Sequence, residues 1–153
     1  MATAMVLGCF VMVGLLLAYY GKDRMNYFTE GEVAAAEYLS QTAPKGSLWL
    51  DGTWNWPNRY KKYEQYQYES LMTLPKDERG RLGYDPVGVI AQLMQDSRYP
   101  AAYLTITRSQ KMHVETAGVM PEGSLDRIEE ALRQSERFSV VYHNDDATIF
   151  QLR

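Results

Sequence analysis

The sequence predicts an α/β protein: one N-terminal transmembrane helix, then a small three-layer domain with a mixed, mainly parallel sheet and a C-terminal β-hairpin. Three observations carry this expectation. Residues 2–20 form an uncharged, largely apolar run; beyond them, segments of helical spacing alternate with short runs of β-branched and aromatic residues; and the last two such runs are separated only by Asn144-Asp145-Asp146. With 153 residues, 46% apolar and 23% charged, the chain suits one globular unit. The expected organisation is a transmembrane helix over 1–21, a juxtamembrane linker over 22–28 and an α/β domain over 29–153.

The N-terminal run reads ATAMVLGCFVMVGLLLAYY, and every charge lies at or beyond Lys22. About 20 residues at roughly 1.5 Å each match the hydrocarbon core of a bilayer. Tyr19 and Tyr20 stand where an aromatic belt would sit, just before Lys22, Asp23 and Arg24. A cleaved secretory signal would begin with a basic region and end on small residues in an A-x-A pattern; MATA is uncharged and no such site follows. The lipid bilayer is therefore the expected partner of residues 2–20, with Cys9 in lipid and the protein single-pass in the plasma membrane. Lys22 and Arg24, offset by Asp23, give only a weak pull of the remainder toward the cytoplasm.

In the following domain, Thr29 and Glu32 have capping-box spacing, and Val33, Ala36 and Leu39 recur at helical spacing until Pro44-Lys45-Gly46. Ser47 to Asp51 reads as a buried strand ended by Gly52. Residues 53–84 are irregular, with a short helix expected around Asn58 to Gln65 and a loop from Pro75 to Gly83. Asp85-Pro86 supplies an N-cap and a first-turn proline for a helix carrying Val89, Ile90, Leu93 and Met94, which should stop near Ser97. Ala102 to Thr107 is a second strand, and Ser109 caps a short helix that Gly118 ends. Ser124 caps a last amphipathic helix with Leu125, Ile128, Ala131 and Leu132 on one face. Phe138 to His143 and Thr148 to Leu152 close the chain as a hairpin.

Composition excludes several function classes. Sixteen basic against nineteen acidic residues give a net charge of −3, so no field would recruit nucleic acid. A single cysteine forbids an intrachain disulfide, and Cys9, His113 and His143 are too few soft ligands for a structural zinc site. No glycine-rich phosphate loop precedes a helix and no G-x-S-x-G elbow exists, so no cofactor, no metal and no catalytic residue is expected. His113 and Glu115, two apart on a helix, diverge; His113 is expected at the surface. His143, Asp145 and Asp146 are expected in a solvated turn.

The most informative stretch is aromatic. Trp54, Trp56, Tyr60, Tyr63, Tyr66 and Tyr68 crowd together, interleaved with Asn55, Asn58, Arg59, Gln65 and Gln67. Flat rings beside amide and guanidinium donors suit a sugar, whose C–H face stacks while its hydroxyls take hydrogen bonds. The same rings also serve to seal one layer against another. In parallel sheets ligands collect beyond the carboxyl ends of strands, which here offer Asp51, Thr53 and Asn55, then Thr107, Arg108, Ser109 and Gln110. Arg108 could clamp a phosphate or carboxylate. The candidate carbohydrate-binding set is Trp54, Asn55, Trp56, Tyr60, Tyr63 and Arg108.

The runs YYGKDRMNYFTEGEVAAAEYL, TAPKGSLWL, WNWPNRYKKYE, LTITRSQ and SERFSVVYHNDDATIFQL together resemble the C-terminal portion of bacterial polytopic membrane proteins of the glycosyltransferase or glycosyltransferase-like kind. The likeness covers the chain from about Leu15 onward. In such proteins a last helix leaves the membrane and a soluble α/β domain follows on the outer face. Catalysis belongs to acidic residues of the first outer loops, which have no counterpart here. The resemblance thus implies an extracytoplasmic accessory domain, or a split-off piece of a transferase, that assists glycan transfer or binding and whose partner is an envelope glycan or a polytopic membrane protein. The alternative is a structural interaction module packing on such a partner; a third reading is a free-standing hydrolase or transferase using Asp51 and Arg108.

Overall fold

The computed structural model describes residues 8–16 and 27–153. Five helices and five strands make the domain: α1 (Glu30–Thr42), β1 (Leu48–Asp51), β2 (Gln67–Ser70), α2 (Lys76–Arg81), α3 (Pro86–Met94), β3 (Ala102–Thr107), α4 (Arg108–Ala117), α5 (Ser124–Gln134), β4 (Phe138–His143) and β5 (Ala147–Leu152). The strands form one sheet in the order β2-β1-β3-β5-β4. β1 pairs in parallel with β2 and β3, whereas β5 pairs antiparallel with β3 and β4. The sheet is therefore divided evenly, not mainly parallel as the sequence suggested, because the closing hairpin inserts β5 beside β3 and contributes two antiparallel ladders.

The expected transmembrane helix is also corrected. Among the described residues no helix is long and apolar enough to cross a membrane. An uncharged run meets the compositional condition for a membrane span; the condition on helix length is separate, and no described helix meets it. Residues 1–7 and 17–21 of the expected span, and 22–26 of the linker, lie outside the described residues. The single-pass plasma-membrane placement falls with that helix.

Alternation along the strands sorts side chains into two layers. Leu48 and Leu50 of β1, Leu104 and Ile106 of β3 and Phe150 of β5 face a core completed by Val89, Ile90 and Met94 of α3, Val114 of α4 and Leu125, Ile128 and Leu132 of α5. On the other face Trp49, Tyr103 and Ile149 pack with Ala35, Ala36 and Leu39 of α1 and with Trp56 and Tyr66. Helices thus cover both faces, three layers deep.

Both capping boxes that organise the helix starts are present. Thr29 caps α1 with Glu32, and Thr107 caps α4 with Gln110. The α4 cap falls on the last strand residue, two before the expected Ser109, because Ser109 has a different task. Its amide and its hydroxyl each donate to the Glu32 carboxylate at 2.7 Å, while Thr29 N donates at 3.0 Å. Glu32 is fully buried, so these donors replace the water it loses. One carboxylate thereby ties the start of α1 to the start of α4.

Gly52, directly after β1, runs hard against the layer of α4 and α5. A Cβ there would lie 2.8 Å from Leu125 Cδ2 and 2.9 Å from Gln110 Oε1, whereas one at Gly80 in exposed α2 would meet open space. Gly52→Ala is expected to lower stability by about 1–3 kcal/mol through overpacking, and Gly80→Ala to raise it by about 0.5–1 kcal/mol through its effect on the unfolded chain. Paired thermal melts check the opposite signs.

Candidate functional site

The loop of residues 52–66 joins two parallel neighbours, β1 and β2, by crossing the carboxyl end of β1. Its shape is set by Asp51, the last residue of β1. One carboxylate oxygen accepts from Trp56 Nε1 at 2.6 Å and the other from Asn58 Nδ2 at 2.7 Å. Successive tight turns, Trp56 N to Trp54 O at 3.1 Å and Asn58 N to Trp56 O at 2.8 Å, bring both donors back over the strand end. Trp56 is 2% exposed and lies tilted 6.3 Å from Trp49, on which Tyr66 stacks at 4.3 Å and against which Tyr68 sets its edge at 5.6 Å. The sequence placed Trp56 among the sugar-contacting rings; the structure makes it core.

Burial pushes the Asp51 carboxyl up to about 8, against the opposing pull of the Trp56 and Asn58 donors and of the Arg59 charge.

The remaining candidates divide by side of the sheet. Trp54 is 57% exposed and stands 5.5 Å from His113 of α4. Asn55 beside it donates from Nδ2 to Ser109 O at 3.1 Å, which fastens this part of the loop to α4. Tyr60 and Tyr63, 46% and 53% exposed, lie farther along, where Lys61 sits 5.0 Å over the Tyr60 ring and pairs with Glu37 of α1 at 2.7 Å. The loop therefore displays Trp54 and Asn55 toward α4, and it runs Tyr60 and Lys61 toward α1. The short helix expected over 58–65 is a single 3-10 turn, Tyr63–Gln65. Arg108 joins neither group. Its Nη2 donates to Tyr27 O at 3.3 Å and its Nε lies 3.9 Å from Asp146 Oδ1.

Two further residues belong to this site: Thr53, which the sequence offered at the end of β1 without placing it in the carbohydrate-binding set, and His113, which sequence reasoning missed. Thr53 is fully buried, and its Oγ1 lies 3.2 Å from His113 Nδ1 while accepting from Asn55 N at 3.4 Å. His113, expected at the surface, is only 6% exposed. Burial holds its imidazole below the usual histidine range, so it is neutral near pH 7. A signal existed: Ser109, Gln110, His113 and Val114 form the buried face of α4 at helical spacing. The Glu115 spacing addressed chelation only and left that face unread.

A concavity of about 150 Å³ lies apart from this loop, between the start of α4, the β4–β5 turn and Glu129, lined among others by Arg108, Lys111, His143 and Asp146. Its charges are largely occupied with one another. Glu129 accepts from Lys111 Nζ at 2.7 Å, Thr148 Oγ1 at 2.7 Å and Arg133 Nη2 at 2.9 Å, and these partners hold its carboxyl below the usual range despite burial. The turn is docked as well as solvated: Asn144 Nδ2 donates to Gly31 O at 2.9 Å and Arg108 N to Asp146 O at 2.8 Å. Among the described residues no group of three or more His, Cys, Asp or Glu could hold a metal ion.

Fold and site together define a small α/β domain with a mixed five-stranded sheet and an aromatic loop at the carboxyl end of its central parallel strand. No protein-family model, no curated protein and no solved structure matches this chain.

The Asp51 clamp makes a pH-dependent prediction. A carboxyl raised from its unfolded value near 3.8 to about 8 binds its proton more tightly when folded, so its contribution is fully present below about pH 4 and is lost as pH rises toward about 8. In Asp51→Asn this decline should vanish, although the variant starts from lower stability because one of the two donors meets an amide N–H. Denaturant melts of both proteins between about pH 5 and about pH 9 check it, the difference between their slopes isolating Asp51 from other titrating groups.

Proposed function

We propose that this chain is a carbohydrate-binding accessory domain that assists glycan transfer by binding and has no catalytic step of its own. The observation that carries the reading is Trp54: a large indole more than half exposed, on a loop whose neighbours on both sides are fastened to the fold, beside the amide of Asn55 and the imidazole of His113. A pre-positioned flat ring with neutral hydrogen-bonding groups beside it suits the C–H face and hydroxyls of a sugar, and holding the ring in place lowers the ordering cost of binding. The sequence likeness to the C-terminal portion of bacterial polytopic glycosyltransferases points the same way and rests on those motifs alone. Tyr60 and Tyr63, exposed beside the Lys61–Glu37 pair, favour a second reading, a protein-interaction module in which this aromatic stretch packs on a partner.

Titration of the intact chain with cell-envelope glycans, followed by tryptophan fluorescence, separates the readings. Trp54→Ala should weaken binding by about tenfold or more, the loss of roughly 1.4 kcal/mol of stacking, with an unchanged melting temperature. Trp56→Ala should instead destabilise the fold by about 3–5 kcal/mol. Absence of binding to every glycan overturns the carbohydrate reading and leaves the interaction module.

A further inference from the structure

We infer that His113 is a ligand-contacting residue of the Trp54 site, held by Thr53 in the tautomer that presents Nε2–H as a hydrogen-bond donor to a hydroxyl oxygen of a neutral sugar. This rests on the carbohydrate reading above and specifies its chemistry.

The argument begins with the Thr53 hydroxyl. The side chain is fully buried, and a buried hydroxyl has one proton to place. Its oxygen already accepts from Asn55 N, and the acceptor within reach is His113 Nδ1 at 3.2 Å. Thr53 therefore donates and Nδ1 accepts. In a neutral imidazole an accepting Nδ1 puts the ring proton on Nε2, and burial keeps this ring neutral. The other nitrogen points away from Thr53. Among the described residues the enclosed side-chain atoms without a partner are Trp49 Nε1, Thr105 Oγ1 and Gln110 Nε2. His113 Nε2 is not one of them and makes no hydrogen bond to a described residue, so the small exposed fraction of this residue, 6%, includes that nitrogen. Its ring stands 5.5 Å from the Trp54 indole at an angle of 54°. A sugar stacked on Trp54 thus meets a fixed donor at its edge, and the Asn55 amide, fastened to Ser109 O, flanks the same approach. Arg108, turned to Tyr27 and Asp146, brings no charge to the Trp54 ring, and the polar groups beside that ring, Asn55 and His113, are neutral; a hydroxyl-rich ring fits them better than a phosphate.

The test is two-bond proton–nitrogen NMR on the histidine rings of the intact, nitrogen-15-labelled chain, alone and in titration with the methyl glycosides of glucose, galactose, mannose and N-acetylglucosamine. The expected spectrum of the free protein shows His113 as the Nε2–H tautomer. At least one glycoside should shift both the Trp54 indole N–H and His113 Nε2, and His113→Phe should weaken that glycoside by about fivefold to tenfold, the loss of a single neutral hydrogen bond, with His113→Gln restoring part of it. Should His113→Phe fail to fold, Thr53→Val carries the same test: His113 should lose its tautomer preference and the affinity should fall. An Nδ1–H tautomer in the free protein overturns the inference. So does a glycoside that shifts Trp54 but leaves His113 unmoved, an outcome under which the carbohydrate reading stands. If neither ring responds to any of the four, both fail.

Discussion

The geometry of the candidate site depends on one buried carboxyl group, that of Asp51. Parallel strands cannot be joined by a tight turn, and the usual crossover is a helix whose own hydrogen bonds order it. Between β1 and β2 the chain uses a loop with one 3-10 turn, and backbone order has to come from elsewhere. Asp51 supplies it by taking one N–H from Trp56 and one from Asn58, which fixes both ends of a three-residue arc over the strand. Burial of that group is costly, as its upward-shifted carboxyl shows. The cost is tolerable because the donors are good and because Trp56 adds its indole to the layer of Trp49 and Tyr66. Trp54 lies two residues back from this anchor, so its exposed position is a consequence of what is buried beside it.

A second buried carboxyl group constrains the other wall. Glu32 gathers three donors from Thr29 and Ser109, aligning the first turns of α1 and α4. Asn144 and Asp146 then fasten the β4–β5 turn to the same two starts. α4 consequently has little freedom at its first turns, the part that carries Ser109 and leads to His113. Loop and helix are each fixed independently, and the contacts between them, Asn55 to Ser109 and Thr53 to His113, join two rigid pieces.

How much of this was legible in the sequence follows from how local each determinant is. The cap at Thr29, the proline start after Asp85 and the polar turn at Asn144 are read within a few residues, and α1, α3 and the β4–β5 hairpin start where those signals stand. β2 was missed because QYES carries little strand propensity; it is ordered by pairing with β1, a long-range fact. The even division of the sheet was hidden for the same reason, since no local pattern tells β5 which neighbour to take. For the site, the aromatic stretch was visible as a cluster, but its partition into buried Trp56 and Tyr66 and exposed Trp54, Tyr60 and Tyr63 was not. That partition is decided by Asp51, which lies outside the cluster. The N-terminal run was read on composition alone: hydropathy measures what a helix would prefer as surroundings, whereas a span also needs sufficient helix length, which no described helix has.

The pairing of a fixed indole with a neutral imidazole also bears on which ligands the loop can discriminate. Stacking on Trp54 is tolerant, because most pyranoses offer some C–H face. A single donor held in one tautomer is not tolerant: it rewards an acceptor at one place on the ring edge and leaves a buried-side donor poorly partnered when that acceptor is displaced. Epimers that differ at one hydroxyl present the same area to the indole but not the same oxygen to Nε2. On this division of labour Trp54 sets how strongly the site binds, whereas the Thr53–His113 pair sets which sugar it prefers. Both rest on two anchors, the Asp51 bonds to Trp56 and Asn58 and the Asn55 bond to Ser109 O, which together hold the indole and the hydroxyl that orients His113 against α4.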